Sequence, residues 1–253
     1  MAEKEKINKN IIEILRSTIE KDTIKHLFVQ NVGKYFKADR VYFSDYDDET
    51  KTYLPVVEGS EYLSSNKEKS FVNQAYSAFS IKEHLRPLTE KKELNIYNWD
   101  EYIRENTKDQ AFADFFEGAN IKSSYNIPAI YQQRIMGYFC VEFTQNMHKL
   151  SDLDINSIRN ICTQAGIALY HAELYEKAQK LAQSKAEFIT KMSHNLRTPL
   201  NTITGFSEIL SKAELNHDKL IEYLDTINTS AKEVLDLTNY IINISKEESE
   251  NLD

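Results

Sequence analysis

Apolar residues recur at helical spacing from the start of the chain: Ile7, Ile11, Ile14 and Leu15, then Ile24, Leu27, Phe28, Val32, Tyr35 and Phe36. This pattern predicts one long or once-broken amphipathic helix. Arg40 to Tyr46 reads as a strand, Asp47 to Lys51 as a turn and Thr52 to Glu58 as the returning strand. Between Gly59 and about Asn120 the pattern loosens. It predicts short helices at Ser70–Phe79, Asp100–Asn106 and Gln110–Glu117, a short strand at Leu94–Ile96, and a packing role for Trp99. Ser123–Tyr131 and Ile135–Thr144 then form a second predicted hairpin, with Gly137 inside its returning strand. Helix followed by hairpins indicates an α+β domain.

From Ser151 the period changes. Ser151-Asp152-Leu153-Asp154 is a capping box, and no proline follows it until Pro199. Ile155, Ile158, Ile161, Cys162, Ala165, Ala168 and Leu169 form a stripe that packs back on the sheet. Leu174, Ala178, Leu181, Lys185, Phe188 and Met192 extend it in steps of mostly three and four. A helix this long cannot bury its stripe alone, so a parallel coiled coil with a second copy is expected. Ile203, Phe206 and Leu210 continue the apolar face, and Lys212 to Asp218 reads as a connection. A further helix carries Leu220, Leu224, Ile227, Ala231, Val234, Thr238 and Ile241, flanked by Tyr223, Leu235, Leu237 and Ile244. Two such hairpins bury their stripes as a four-helix bundle, which implies a homodimer.

Composition narrows the function classes. The 253 residues carry a net charge of -8, which argues against a general nucleic-acid binder. No stretch reaches the roughly 18 apolar residues of a membrane span, and the charged Met1–Lys6 start is no signal peptide, so a cytoplasmic location is expected. Cys140 and Cys162 lack Cys-x-x-Cys spacing and are expected to be buried, reduced thiols. The six histidines show no metal-ligand spacing, so no metal site is expected; His84, in Lys82–Pro87, reads as a surface residue with a ligand-facing alternative.

The first part of the chain, over roughly residues 10 to 172, resembles a GAF domain. The resemblance rests on the helix–sheet order and on Ser123-Ser124-Tyr125-Asn126-Ile127-Pro128 leading into Ile135-Met136-Gly137-Tyr138-Phe139. It implies a pocket between the sheet and the variable middle segment for a small-molecule ligand such as a nucleotide, a haem or a bilin. Members that link a bilin carry a Cys–His pair in that segment. None is present here, so a covalent bilin is not expected and the ligand stays unassigned. A ligand-free GAF domain serving dimer contacts is equally consistent with these residues.

Phe188-Ile189-Thr190-Lys191-Met192-Ser193-His194-Asn195-Leu196-Arg197-Thr198-Pro199-Leu200-Asn201-Thr202-Ile203 resembles the dimerisation and phosphoacceptor domain of sensor histidine kinases. The resemblance implies that His194 accepts the γ-phosphoryl of ATP as a phosphoramidate and passes it to an aspartate of a response-regulator receiver domain. A neutral imidazole nitrogen suits that role near neutral pH. Thr198, one turn on, would position a water for hydrolysis of the phosphorylated regulator. Arg197 would meet ATP phosphates or a neighbouring carboxylate, and the carboxylate is the plainer reading. Pro199 cannot donate to the carbonyl of Asn195 and should bend the helix.

Two departures from the family pattern qualify this. Asn195 stands where the family carries an acidic residue, so slow autophosphorylation is expected, with the Thr198-dependent phosphatase half less affected. The six glycines include no Gly-x-Gly arrangement, so no nucleotide lid is encoded. ATP and magnesium are therefore expected only through a catalytic domain outside this chain, and whether the chain alone is an enzyme stays open, leaning towards protein-histidine kinase by family. The expected organisation is a GAF-like sensor over 1–172, a coiled-coil helix over 173–187 and a phosphoacceptor hairpin over 188–253. A non-catalytic dimeric adaptor and a regulator phosphatase, either one controlled by a GAF ligand, are the alternatives.

Overall fold

The computed structural model describes residues 19–47, 50, 52–73, 90, 92–106, 110–212 and 216–250. It divides into two units, Met1–Glu176 and Lys177–Asp253. Among the described residues no helix is long and apolar enough to cross a membrane.

The first unit is built on a sheet whose strands are β1 (Arg40–Asp47), β2 (Thr52–Tyr53), β3 (Glu61–Leu63), β4 (Leu94–Ile96), β5 (Ser123–Tyr131) and β6 (Arg134–Phe143). Their order is β2-β1-β6-β5-β4, with β3 also paired to β1. All these pairings are antiparallel. Among the described residues three helices lie wholly in this unit: α1 (Lys21–Phe36), α2 (Trp99–Asn106) and α3 (Gln110–Gly118). A fourth, α4 (Asp152–Lys212), starts in it.

Alternation along the strands sorts side chains into two layers. Val41 and Phe43 of β1, Tyr125 and Ile127 of β5, and Phe139 and Val141 of β6 pack with Phe28 and Val32 of α1 and with Ile158, Ile161 and Ala165 of α4. The intervening Tyr42, Tyr46, Tyr138 and Cys140 face the other way, against Val56, Phe71, Trp99 and Phe116. Trp99 is 2% exposed, and its indole nitrogen donates to Ser124 Oγ at 2.9 Å, so it is a packing residue as expected. Between the Ala129–Gly137 and Ile130–Ile135 pairs β6 carries one extra residue, Met136, which resets its alternation, so Ile135 joins the second layer beside Ile130.

The helix α4 opens on the expected cap: Asp154 N donates to Ser151 Oγ at 3.2 Å, and Ser151 Oγ donates to the Asp154 carboxylate at 2.7 Å. Ile158, Ile161, Cys162, Ala165 and Leu169 are the buried stripe predicted to pack on the sheet. Both cysteines are free and buried.

Three expectations change. The return strand is confined to Thr52–Tyr53 rather than running to Glu58, because Pro55 has no amide to continue the ladder. The strand β3, which the pattern missed, takes over part of the β1 edge. Residues 70–73 are not helical: Val72 bridges Val56, and Ser70 Oγ donates to Glu61 at 2.6 Å. The rest of the Ser70–Phe79 helix, Ile7, Ile11, Ile14 and Leu15, and His84 lie outside the described residues. The N-terminal helix is described from Lys21.

In the second unit, α4 continues to Lys212 and is followed by α5 (His217–Glu250). Asn216 caps α5 by accepting the Lys219 amide at 3.0 Å. The two form a helical hairpin, with the Phe206 and Tyr223 rings 4.9 Å apart. Within this hairpin the one stripe read on α5 resolves into two. Tyr223, Ile227, Ser230, Val234, Leu237 and Ile241 are buried or half-buried, while Leu220, Leu224, Ala231, Leu235 and Ile242 stay exposed beside them.

Candidate functional site

The layer of the sheet opposite α1 holds a fully buried ion pair. Arg40 is 0% exposed and Glu142 2%. The guanidinium donates to the Glu142 carboxylate from Nε at 2.7 Å, and Tyr42 Oη donates to the same carboxylate at 3.1 Å. Arg40 Nη1 also donates to the Lys69 carbonyl at 2.7 Å, and the guanidinium lies 3.8 Å over the Phe71 ring. Glu61 accepts the Phe71 amide at 2.7 Å, so residues 69–71 are held from both sides. Burial pushes the Glu142 carboxyl above the usual carboxylate range, and the Arg40 charge opposes that rise. This assembly was not legible in the sequence, where Arg40 opens a strand and Glu142 sits 102 positions later.

Around it the layer is aromatic. Tyr53 lies between Tyr46 and Tyr138 at 5.4 and 5.1 Å, and Trp99 stacks on Phe116 at 3.9 Å. Burial raises the phenols of Tyr53 and Tyr138 well above their ordinary range. It also raises the Cys140 and Cys162 thiols, so both stay protonated. Among the described residues no three His, Cys, Asp or Glu side chains converge as metal ligands.

In the second unit the motif residues lie on one continuous helix, and the helix turns them to different sides. His194, Arg197 and Thr198 are exposed, Asn195 is half-buried and Pro199 is buried. The half-buried Met192, Leu196, Ile203 and Phe206 share the side of Pro199, which makes this the seam of the hairpin. His194 therefore presents its ring on the side away from the seam, and Asn195 sits at the edge of the seam. Pro199 lies inside the helix, leaving the Asn195 carbonyl without its usual amide donor. Among the described residues Arg197 forms no ion pair. The Thr198 carbonyl accepts Thr202 Oγ1 at 3.2 Å.

Comparison with known proteins follows the same division. Residues 21–169 match the GAF domain model, and residues 184–250 match the model for the His Kinase A (phospho-acceptor) domain. The circadian input-output histidine kinase CikA of Synechococcus elongatus is 27% identical over 162 residues, 53% of this chain and 22% of that protein. The cell-division control histidine kinase PdhS of Brucella ovis is 40% identical over 81 residues, 31% of this chain and 8% of that protein. The chain thus spans less than a quarter of the length of either relative. Among solved structures, a phycoerythrobilin-bound GAF domain from a cyanobacterial phytochrome superposes with a TM-score of 0.55 at 17% identity, covering 68% of this chain and 97% of that one. The GAF domain of an Acinetobacter phosphoenolpyruvate-protein phosphotransferase gives 0.52 at 14% identity, covering 69% and 96%. These likenesses show the fold.

Proposed function

Because the chain belongs to the GAF-domain family and carries a His Kinase A (phospho-acceptor) domain after it, we propose that it is the sensory and phosphoacceptor part of a two-component histidine kinase. His194 is the phosphoacceptor. The observation that carries this reading is the exposure of His194 on the side of the helix away from the seam, inside the phosphoacceptor match. A ring so placed is open to a phosphoryl donor and then to a receiver aspartate. In the first step the imidazole nitrogen bonds to the γ-phosphorus of ATP as the bond to the β-bridging oxygen breaks and ADP leaves. In the second the aspartate carboxylate displaces the imidazole. ATP and magnesium come with a catalytic domain outside the residues of this chain.

The domain limits 1–172, 173–187 and 188–253 go with this reading, and the division after Glu176 supports the first of them. The exposed stripe Leu220, Leu224, Ala231, Leu235 and Ile242, with Ile189 and Leu200 on α4, supports a homodimer whose second hairpin covers it. The aromatic layer around Tyr46, Tyr53 and Trp99 is the side of the GAF sheet on which a small-molecule ligand would act. The absence of a membrane-length helix among the described residues goes with a cytoplasmic location.

Mixing the protein with a histidine-kinase ATP-binding domain and γ-labelled ATP tests the reading. Label on the wild type and none on His194→Gln is the expected result; equal label on both overturns it. Asn195, which lacks the charge to stabilise an imidazolium, favours a second reading as a regulator phosphatase working through Thr198. Loss of regulator dephosphorylation in Thr198→Ala, with no labelling of the wild type, would select it. Regulator binding unchanged in His194→Ala without either chemistry would leave a dimeric adaptor.

A further inference from the structure

From Phe188 to Ser207 the chain holds no Asp or Glu, although its net charge is -8. His194 lies in this window, and its two charged residues, Lys191 and Arg197, stand three positions before and three after it. On a continuous helix those positions are the neighbours of His194 on the turns below and above, about 5–6 Å away between β-carbons. Both side chains are exposed, and neither makes an ion pair among the described residues. The hydroxyls on the preceding turn are already used: Thr190 Oγ1 donates to the Ala186 carbonyl and Ser193 Oγ to the Ile189 carbonyl, each at 2.9 Å.

We propose that Lys191, acting with Arg197, is a positioning residue that holds the phosphoryl group carried by His194. The proposal rests on His194 being the phosphoacceptor. A phosphoryl group on the ring projects beyond the helix surface, where a lysine stem from the turn below reaches it as a mobile point charge. Arg197 flanks it from the turn above. Asn195 in place of an acid leaves no carboxylate in this window to compete for either cation.

The test uses the full chain and potassium phosphoramidate, which needs no nucleotide domain. The imidazole nitrogen attacks phosphorus, the donor P–N bond breaks and ammonia leaves with the proton. Wild type, His194→Gln, Lys191→Gln and Lys191→Arg are labelled, and the second ionisation of the phosphohistidine is followed by phosphorus NMR. Lys191→Gln should raise that ionisation by roughly half a pH unit at low salt, the effect of one cation about 6 Å away in water. The difference should fade at about 1 M salt, where the screening length is about 3 Å. Lys191→Arg should titrate as the wild type. A Lys191→Gln protein labelled on His194 and titrating as the wild type at low salt overturns the proposal. A wild type that takes no label on His194 overturns the phosphoacceptor reading itself, and this proposal with it.

Discussion

Gly166 of α4 lies so close to Ile130 of β5 that a β-carbon on the glycine would stand 3.0 Å from the Ile130 amide nitrogen and 3.1 Å from its carbonyl oxygen. The contact falls where β6 bulges at Met136 opposite Ala129 and Ile130, and the backbone of Ile130 meets the helix while its side chain joins the aromatic layer. Helix and sheet approach here without a side chain between them. Gly166→Ala forces them apart against backbone atoms, and a loss of about 1–3 kcal/mol in the stability of the first unit is expected. Thermal unfolding followed by near-ultraviolet dichroism measures it; an unchanged midpoint would mean that the sheet edge yields.

The buried pair gives a sharper contrast. Glu142→Ala leaves the Arg40 charge buried without its carboxylate and should cost about 3–5 kcal/mol. The double variant Arg40→Met with Glu142→Leu removes both charges and should recover much of that loss. Denaturant titration of the three proteins checks it, and equal losses in the single and double variants would assign the cost to shape instead of charge.

Glu93 receives Arg159 at 2.5 and 2.8 Å, and these hydrogen bonds hold its carboxyl below the usual range. A lowered carboxylate stabilises the fold above its unfolded value near 4.5 and loses that contribution as pH falls through the folded value. Arg159 is half exposed, so the gain is small, about 0.2–1 kcal/mol. The melting difference between wild type and Glu93→Gln should be present at pH 7 and shrink below pH 4.5; a difference that grows on acidification would reverse the sign.

The exposed stripe on α5 predicts assembly. Leu224→Glu with Leu235→Glu should convert a dimer of 29.5 kDa chains to monomers in sedimentation equilibrium while helicity is kept. A monomeric wild type would remove the homodimer from the proposal.

Cys140 and Cys162 are buried, and burial holds both thiols protonated. A water-soluble disulfide reagent should titrate neither in the native protein and both in denaturant. Reaction of one thiol at native conditions would show that its layer opens.

Much of this architecture is written locally. The capping box at Ser151, the β5–β6 hairpin and the spacing of Ile158, Ile161 and Ala165 each depend on residues a few positions apart, and the structure follows them. What escaped has a shared cause in distance or degeneracy. The three residues of β3 are too few to show a period, and they pair with β1 across a loop. Arg40 reads as a polar strand end until Glu142 arrives from far along the chain. Two apolar stripes on α5 share the same spacing, so one pattern could not reveal which faces its neighbour. The motif named His194, Asn195, Arg197, Thr198 and Pro199, but the side of the helix each one occupies follows from where the seam lies.

The strand order β2-β1-β6-β5-β4 also sets a timetable for synthesis. The central partners β1 and β6 are separated by 102 residues between Arg40 and Glu142. At about 5–20 residues per second, β1 waits roughly 5–20 s for its neighbour to be made. During that interval Val41 and Phe43 have no completed layer to enter, whereas β5 and β6, like α4 and α5, are separated by only a few residues. The nascent first unit is thus dependent on a late strand, and its exposure to aggregation is longest before β6 appears.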